Sequence, residues 1–258
     1  GLFTSERDES AIAGVVVYPR TVSLPDLGLP ADRPLGEQRG RRRIFEDPML
    51  VAGVRDYQPG DGLRRINWMA TAHTGRLQSR VYEPSTTQHL IVALNVDTLE
   101  ISWQGYIPEV LEASITVAAS VARWAYDERY SVGLLANGSL PESDQAIDIA
   151  AGRAPDQLGH ILEALGGIGP MTMTSLADLL EHESHSLPFG ATIALVTTLM
   201  PDSLAAVIRR LHNSERRVVV LSLGDDAWPD QVGSALVRQI DWRSLTLGAA
   251  APLSGGPG

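Results

Sequence analysis

The sequence predicts an α/β fold, a doubly wound and mostly parallel sheet of Rossmann type with a β-rich extension before it. Two observations indicate this fold. From residue 89 onward, short apolar runs alternate with amphipathic helical stretches, as in parallel sheets that are buried on both faces. The preceding part is rich in Pro and Gly between residues 23 and 40. We therefore divide the chain into a β-rich N-terminal segment, 1–88, an α/β domain, 89–247, and a disordered tail, 248–258.

The α/β part is predicted element by element from its periodicity. Its strands are predicted at 89–97, 131–138 (ending in an Asn-Gly turn), 146–150 (a short edge strand), 191–199, 217–223 and 239–245. Its helices are predicted at 108–130 (opened by Pro108), 155–165, 174–187 (with Thr174 as N-cap), 201–212 and 229–236. The wide apolar face of the first helix predicts that it packs on the sheet.

The first 88 residues indicate a smaller β-rich element that packs on the larger domain. The run GVVVYP at 14–19 predicts a strand that Pro19 stops, and residues 23–40 are expected to form a loop. The stretches RRRIFEDP and MLVAGVRDYQPGD predict further strands and turns. Alternating side chains over 75–84 predict a strand that leads into the α/β part.

Composition excludes several classes of function. The chain has no cysteine, which rules out disulfides, zinc–thiolate sites and cysteine nucleophiles. All 21 basic residues are arginine: residues 1–88 hold 12 against 11 acids, and residues 89–258 hold 9 against 20. Within 33–80 the ratio is 10 arginines to 5 acids. This uneven distribution of charge along the chain suggests two regions with different partners. We expect no nucleic-acid binding, because the acidic two-thirds of the chain would repel phosphate.

The most distinctive stretch is GVRDYQPGDGLRRINWMATAHTGRL, residues 53–77. It predicts a turn through Gly60, a short helix with Asp61 as N-cap, and a stop at Gly75 in the left-handed conformation of a C-terminal cap. The remaining faces carry Arg64, Arg65, Asn67, Trp68 and His73. We predict an interface formed by Arg64, Arg65, Asn67, Trp68 and Arg76. Arginines beside Trp and Asn are typical of an interface hot spot. The alternative is that Arg64 or Arg65 pairs with acids of the domain and that Trp68 is buried.

This stretch, together with VYPR before it and the helix and strand after it, resembles the bacterial domain-of-unknown-function 58 family. The long string of fixed Gly, Asp, Arg, Asn and Trp positions carries the resemblance, which extends over residues 14–135; at His73 the family commonly has Arg. The resemblance implies a membrane-tethered protein with a von Willebrand factor A-like domain, often encoded beside a MoxR-type AAA+ ATPase. The family's molecular activity is undetermined.

Many von Willebrand factor A domains bind Mg²⁺ through an Asp-x-Ser-x-Ser loop, a Thr and a later Asp, which supply hard oxygen ligands. Asp97 occupies the first position, but the two serine positions hold Leu99 and Ile101. Where the later Asp is expected, the chain has Thr197 and Thr198. We therefore expect no metal ion or other cofactor, and keep an irregular Mg²⁺ site at Asp97, with Glu100 and Ser102 nearby, as the alternative.

Other candidate metal, phosphate-binding and catalytic sites have weaker support in the sequence. His182 and His185 have the spacing of helix metal ligands but are interpreted as solvated surface. The glycines of 166–169 lack the Lys-Ser/Thr of a phosphate loop. A hydrolase at the strand ends is supported by analogy of fold alone. The sequence thus favours a non-enzymatic interaction module, and the family resemblance implies that its protein partner is an AAA+ ATPase.

Its localisation is inferred from the family resemblance. The chain opens on Gly1 and lacks any membrane-length apolar run, so we interpret it as a piece of a longer protein whose other segments reach the membrane. The arginine-rich region favours the cytoplasmic side.

Overall fold

The computed structural model describes residues 17–30, 34–35, 45–58, 61–85, 88–100, 105–141, 143, 145–214, 216–225 and 228–247. Two sheets are present in this described part: a two-stranded antiparallel hairpin and a seven-stranded sheet. The expected tail, 248–258, lies outside it.

The larger sheet confirms the predicted fold class. Its strands are β3 (His89–Leu94), β4 (Ser131–Ser139), β5 (Ala146–Gly152), β6 (Thr192–Thr197), β7 (Arg217–Ser222), β8 (Gln231–Val232) and β9 (Ala235–Gln239). Their spatial order is β5-β4-β3-β6-β7-β9-β8. The pairs from β4 through β3, β6 and β7 to β9 are parallel, and the edge strands β5 and β8 are antiparallel to their neighbours. Without β8 this is the 3-2-1-4-5-6 order of doubly wound sheets, as a von Willebrand factor A-like fold requires.

Helices cover both faces of this sheet. They are α2 (Pro108–Asp127), α3 (Gln157–Gly167), α4 (Leu176–His182), α5 (Asp202–Asn213) and α6 (Trp242–Leu247). One apolar core lies between the sheet and α2 with α3, and a second lies under α4 and α5. Successive side chains of each central strand lie alternately in these two cores, so the strand sequences are continuous apolar runs. Among the described residues, no helix combines the length and apolar character needed to cross a membrane.

The extension consists of β1 (Phe45–Asp56), a 3₁₀ turn at Leu63–Arg65, α1 (Trp68–Thr74) and β2 (Gln78–Ser85). We call this part, residues 45–85, the hairpin unit. β1 and β2 pair antiparallel, so the strand predicted at 75–84 is confirmed with shifted ends. No residue of α1 is buried.

Residues 17–30 and 34–35, here called the N-terminal segment, contain no strand, so the described end of the strand predicted at 14–19 is not formed. Residues 17–20 have no regular structure, and residues 14–16 lie outside the described part. A 3₁₀ turn follows at Pro25–Leu27. The segment places four buried leucines in the core beneath α2 and α3: Leu24, Leu27, Leu29 and Leu35. It thus packs with the α/β part, and the division at residue 88 stays a prediction.

The helix predicted at 229–236 is wrong, because this stretch forms the hairpin of β8 and β9. Gly233 has a φ of +64° in the two-residue connection. A Gly-Ser pair between short apolar runs is a hairpin signal, and here it prevails over helical spacing. The strand predicted at 239–245 is also wrong beyond Gln239, since α6 begins at Trp242.

Two local predictions near the sheet also require correction. The predicted Asn137-Gly138 turn is not formed, because β4 continues through both residues to Ser139. Thr174 is not the N-cap of α4. Ser175 has that role, because its hydroxyl accepts a hydrogen bond from the backbone N–H of Asp178 at 3.1 Å.

Candidate functional site

The Asp61 carboxylate fixes the geometry of the hairpin unit. The Arg55 guanidinium donates to both of its oxygens, at 2.9 and 2.7 Å. The backbone N–H of Gln58 and the buried Ser79 hydroxyl also donate to it, at 2.9 and 3.0 Å. The Arg55 hydrogen bond, followed by that from Gln58, lowers the pKa of Asp61. Asp61 therefore joins β1 to β2 and is not the predicted helix N-cap; Gly60 lies outside the described residues.

The ends of α1 depend on two other motif residues. Asn67, predicted at an interface, is the N-cap: its side-chain oxygen accepts from the backbone N–H of Ala70 at 3.1 Å. Gly75 has a φ of +67° and its N–H reaches the Thr71 carbonyl. The prediction of a left-handed C-terminal cap at Gly75 is thus confirmed, since this conformation favours glycine.

The motif leaves large apolar side chains exposed. Leu63 is 75% exposed, Trp68 66% and Met69 75%. The alternative that Trp68 is buried is therefore wrong. Arg65 is half-buried and Arg76 exposed, while the Arg64 side chain lies outside the description. The hairpin unit thus presents an apolar surface beside arginines.

A second candidate site lies at the carboxyl ends of the strands. A pocket of about 370 Å³ is lined by residues that follow β3, precede α2 or connect α3 to α4: Val96, Asp97, Thr98, Leu99, Gly105, Tyr106, Pro170, Met171 and Thr172. The central strands β3 and β6 form the topological switch point of the sheet, because the chain continues in opposite directions from them. Ligands of open α/β sheets bind at such points.

Asp97 is held by donors from two neighbouring elements. Asn137 Nδ2 donates to Asp97 Oδ2 at 2.9 Å, and the Thr172 hydroxyl donates to Oδ1 at 3.4 Å. Asn137 Nδ2 also donates to Asn95 Oδ1 at 3.0 Å, and Asn137 Oδ1 accepts from the Val96 N–H at 2.9 Å. Burial raises the pKa of Asp97, and the two donors partly offset this effect.

The oxygens around Asp97 do not fit the Mg²⁺ site of the fold family. The Thr198 hydroxyl donates to the Asp97 carbonyl and the Thr197 hydroxyl to the Leu199 carbonyl. The Thr98 hydroxyl accepts from the Ile107 N–H. Among the described lining residues, the remaining hydroxyls are those of Tyr106 and Thr172, and Asp97 is the single carboxylate.

The other predicted metal candidates do not supply the missing ligands. Glu100 is exposed and does not line the pocket, and Ser102 lies outside the described residues. No group of three or more acidic or histidine side chains in the described part could hold a metal ion. His182 lies on the surface with its nearest ion-pair partner, Glu183 Oε1, at 3.8 Å.

Several residues of these two networks escaped the sequence predictions. The Asn137-Gly138 pair predicts a turn, although an Asn inside a buried strand itself signals a polar network. Thr172 reaches Asp97 across 75 positions of sequence, and no local pattern predicts that contact. Arg55 was counted as part of the basic region, whereas it is paired with Asp61.

Residues 53–238 match the model of the family described as "Protein of unknown function DUF58". This chain belongs to the DUF58 family. The DUF58 chain is also 24% identical over 102 residues to the "Uncharacterized protein YeaD" of Bacillus subtilis (strain 168), covering 37% of the chain and 23% of YeaD. The chain thus spans about a quarter of that relative's length.

Two solved structures resemble the DUF58 chain weakly. One is an aerotolerance-related membrane protein from Bacteroides fragilis, with a TM-score of 0.42 and 14% identity over 63% of this chain and 96% of that one. The other is the conserved hypothetical protein BatB from Bacteroides thetaiotaomicron, with a TM-score of 0.41 and 12% identity over 64% and 100%. A likeness at this level carries no argument about function.

Proposed function

We propose that this DUF58 chain is a non-enzymatic interaction module that binds a protein partner through the hairpin unit. The partner is a MoxR-type AAA+ ATPase, as the family resemblance suggests. The full protein is held at the membrane by segments outside this chain, with the module on the cytoplasmic side.

The exposure of Leu63, Trp68 and Met69 carries this proposal. A two-stranded hairpin is marginally stable by itself in water, and the described α1 buries none of its residues against it. Exposed patches of large apolar side chains mark interaction sites in soluble proteins, and these three exposed side chains lie within residues 63–69. A partner that covers them would bury the most apolar part of the hairpin unit.

Charge favours a partner with an acidic surface. Arg76 and Arg80 are exposed on the hairpin unit, and residues 33–80 carry twice as many arginines as acids. Trp and Arg are the residues most enriched at interface hot spots. Their combination supports a specific protein contact.

The test is a binding titration of the purified chain against the MoxR-type ATPase from the source genome, with and without ATP. Two variants address the surface: Trp68→Ala and the double reversal Arg64→Glu with Arg65→Glu. The matched control is Arg209→Glu with Arg210→Glu, an adjacent arginine pair exposed on α5.

Loss of a hot-spot Trp costs about 2 kcal/mol or more, which is about a 30-fold loss of affinity. We expect both hairpin-unit variants to bind at least that much more weakly and the α5 control to bind like the parent. Equal affinity of all four proteins, or no binding by the parent chain, would refute this proposal.

The alternatives gain no comparable support. Among the described residues that line the Asp97 pocket, Asp97 is the single carboxylate, whereas a Mg²⁺-dependent adhesion site needs several hard oxygen ligands. A hydrolase needs a positioned nucleophile and base, and the titratable side chains among the described lining residues are Asp97 and Tyr106.

A further inference from the structure

Among the described residues that line it, the pocket at the strand ends combines a single carboxylate with otherwise neutral side chains. Asp97 is partly buried, and no described basic side chain pairs with it. Its two hydrogen-bond donors come from neutral groups, Asn137 and Thr172. A carboxylate has about four acceptor positions, so this one keeps unused capacity beside a pocket large enough for a side chain or small ligand.

We propose that this pocket binds a monovalent organic cation, the guanidinium or ammonium group of a basic side chain or of a small amine. The site is distinct from the hairpin unit and does not depend on the function proposed above.

Charge balance favours a monovalent cation over a divalent one. One carboxylate neutralises one positive charge, and burial makes an uncompensated charge costly. A guanidinium or ammonium group donates hydrogen bonds to carboxylate oxygens. Mg²⁺ instead needs six oxygens in octahedral geometry, and the described lining residues offer a single carboxylate.

The walls suit the apolar part of such a ligand. Tyr106 and Met171, which line the pocket, are 45% and 74% exposed. An aromatic ring attracts a cation at its face, and a methionine side chain adapts to irregular apolar shapes. The alkyl stem of an arginine or lysine side chain could therefore contact these residues while its charged group reaches Asp97.

The test is a titration of the ¹⁵N-labelled chain followed by NMR. Nα-acetyl-arginine amide is compared with Nα-acetyl-citrulline amide, which has nearly the same shape without the charge. Guanidinium chloride at low millimolar concentration represents a free cation, and MgCl₂ represents the divalent alternative. The reporters are the Asn137 side-chain amide and the backbone N–H groups of Asp97 and Thr172.

We expect saturable shifts at these reporters with the arginine amide and none with the citrulline amide. Asp97→Asn should weaken binding at least tenfold, whereas Glu100→Gln, which removes an exposed carboxylate outside the lining, should leave it unchanged. If guanidinium binds as tightly as the arginine amide, the ligand class is a free cation. If the arginine amide binds more tightly, the ligand is a basic side chain.

Equal shifts with citrulline, retained affinity in Asp97→Asn, or displacement of the arginine amide by equimolar Mg²⁺ would overturn the proposal. The comparison with citrulline uses the parent chain, so it stands even if a variant folds poorly. Because the hairpin unit is tested by variants at Arg64, Arg65 and Trp68, failure of one proposal is distinguishable from failure of the other.

Discussion

Replacement of Asn137 by alanine should destabilise the protein more than any exposed Asn-to-Ala change. Asn137 is 1% exposed and joins three partners at the end of β4. Its side-chain oxygen accepts from the Val96 N–H, and its amide group donates to Asn95 and to Asp97. The substitution removes all three hydrogen bonds and leaves the buried Val96 N–H without its partner.

The cost follows from these contacts. An unpaired buried donor costs about 1–3 kcal/mol, and a lost hydrogen bond to a charged group about 1.5–3 kcal/mol. We therefore expect a loss of about 4 kcal/mol in the free energy of unfolding, a large share of the roughly 5–15 kcal/mol available to a domain. Loss of the hydrogen bond from Asn137 to Asn95 Oδ1 adds little to this cost, because Asn95 Oδ1 still accepts from the Asp97 N–H.

The assay is urea unfolding followed by circular dichroism at neutral pH. The matched control is Asn213→Ala, an exposed position at the end of α5, where we expect a change within about 0.5 kcal/mol. Because Asn137 favours the ionised form of Asp97, the cost should be smaller in acid. A loss of less than about 1 kcal/mol for Asn137→Ala would refute the view that this network holds the strand ends.

Two further substitutions follow from burial and close packing. Asp97→Asn should raise Tm at neutral pH, because burial raises the folded-state pKa of Asp97 above its ordinary 3.8. The ionised carboxylate therefore destabilises the fold increasingly as pH rises from 3.8 through the folded-state pKa. The advantage, followed by thermal unfolding from pH 7 toward pH 4, should shrink; a constant or negative difference would contradict it. Gly133→Ala should cost about 1–3 kcal/mol, because its Cβ would lie 2.8 Å from the Ile149 carbonyl oxygen. In the same urea assay Gly159→Ala, which meets open space on α3, should be neutral or stabilising; equal effects would contradict the packing argument.

The fold was predictable where burial alone determines local structure. The runs that became β3, β6 and β7 are buried on both faces, so their apolar character is unambiguous. The helix prediction at 229–236 is wrong for a different reason, because short hairpin strands and a helical turn have similar spacings of apolar residues. There the two-residue turn at Gly233, with its positive φ, determines that the chain forms a hairpin.

The candidate sites were predictable to different extents. The motif of residues 53–77 signalled a compact turn and helix, and Gly75 behaves as its position indicates. The partners of Asp61 could not be derived, since Ser79 reaches it through strand pairing that sequence spacing does not specify. The Asp97 network likewise depends on tertiary proximity. Only Asn137, a polar residue in an apolar strand, offered a local signal.

The packing of the N-terminal segment changes how the hairpin unit is attached. Leu35 lies in the core beneath α2, and the chain returns to the same body at β3, so the hairpin unit is an insertion held at both ends. Loop closure restricts such an insertion more than a single flexible linker would. Force that a partner exerts on the hairpin unit is therefore shared by its two attachment points. These are the leucines of the N-terminal segment and the central strand of the sheet. Mechanical force applied at Trp68 would reach the strand that ends beside Asp97.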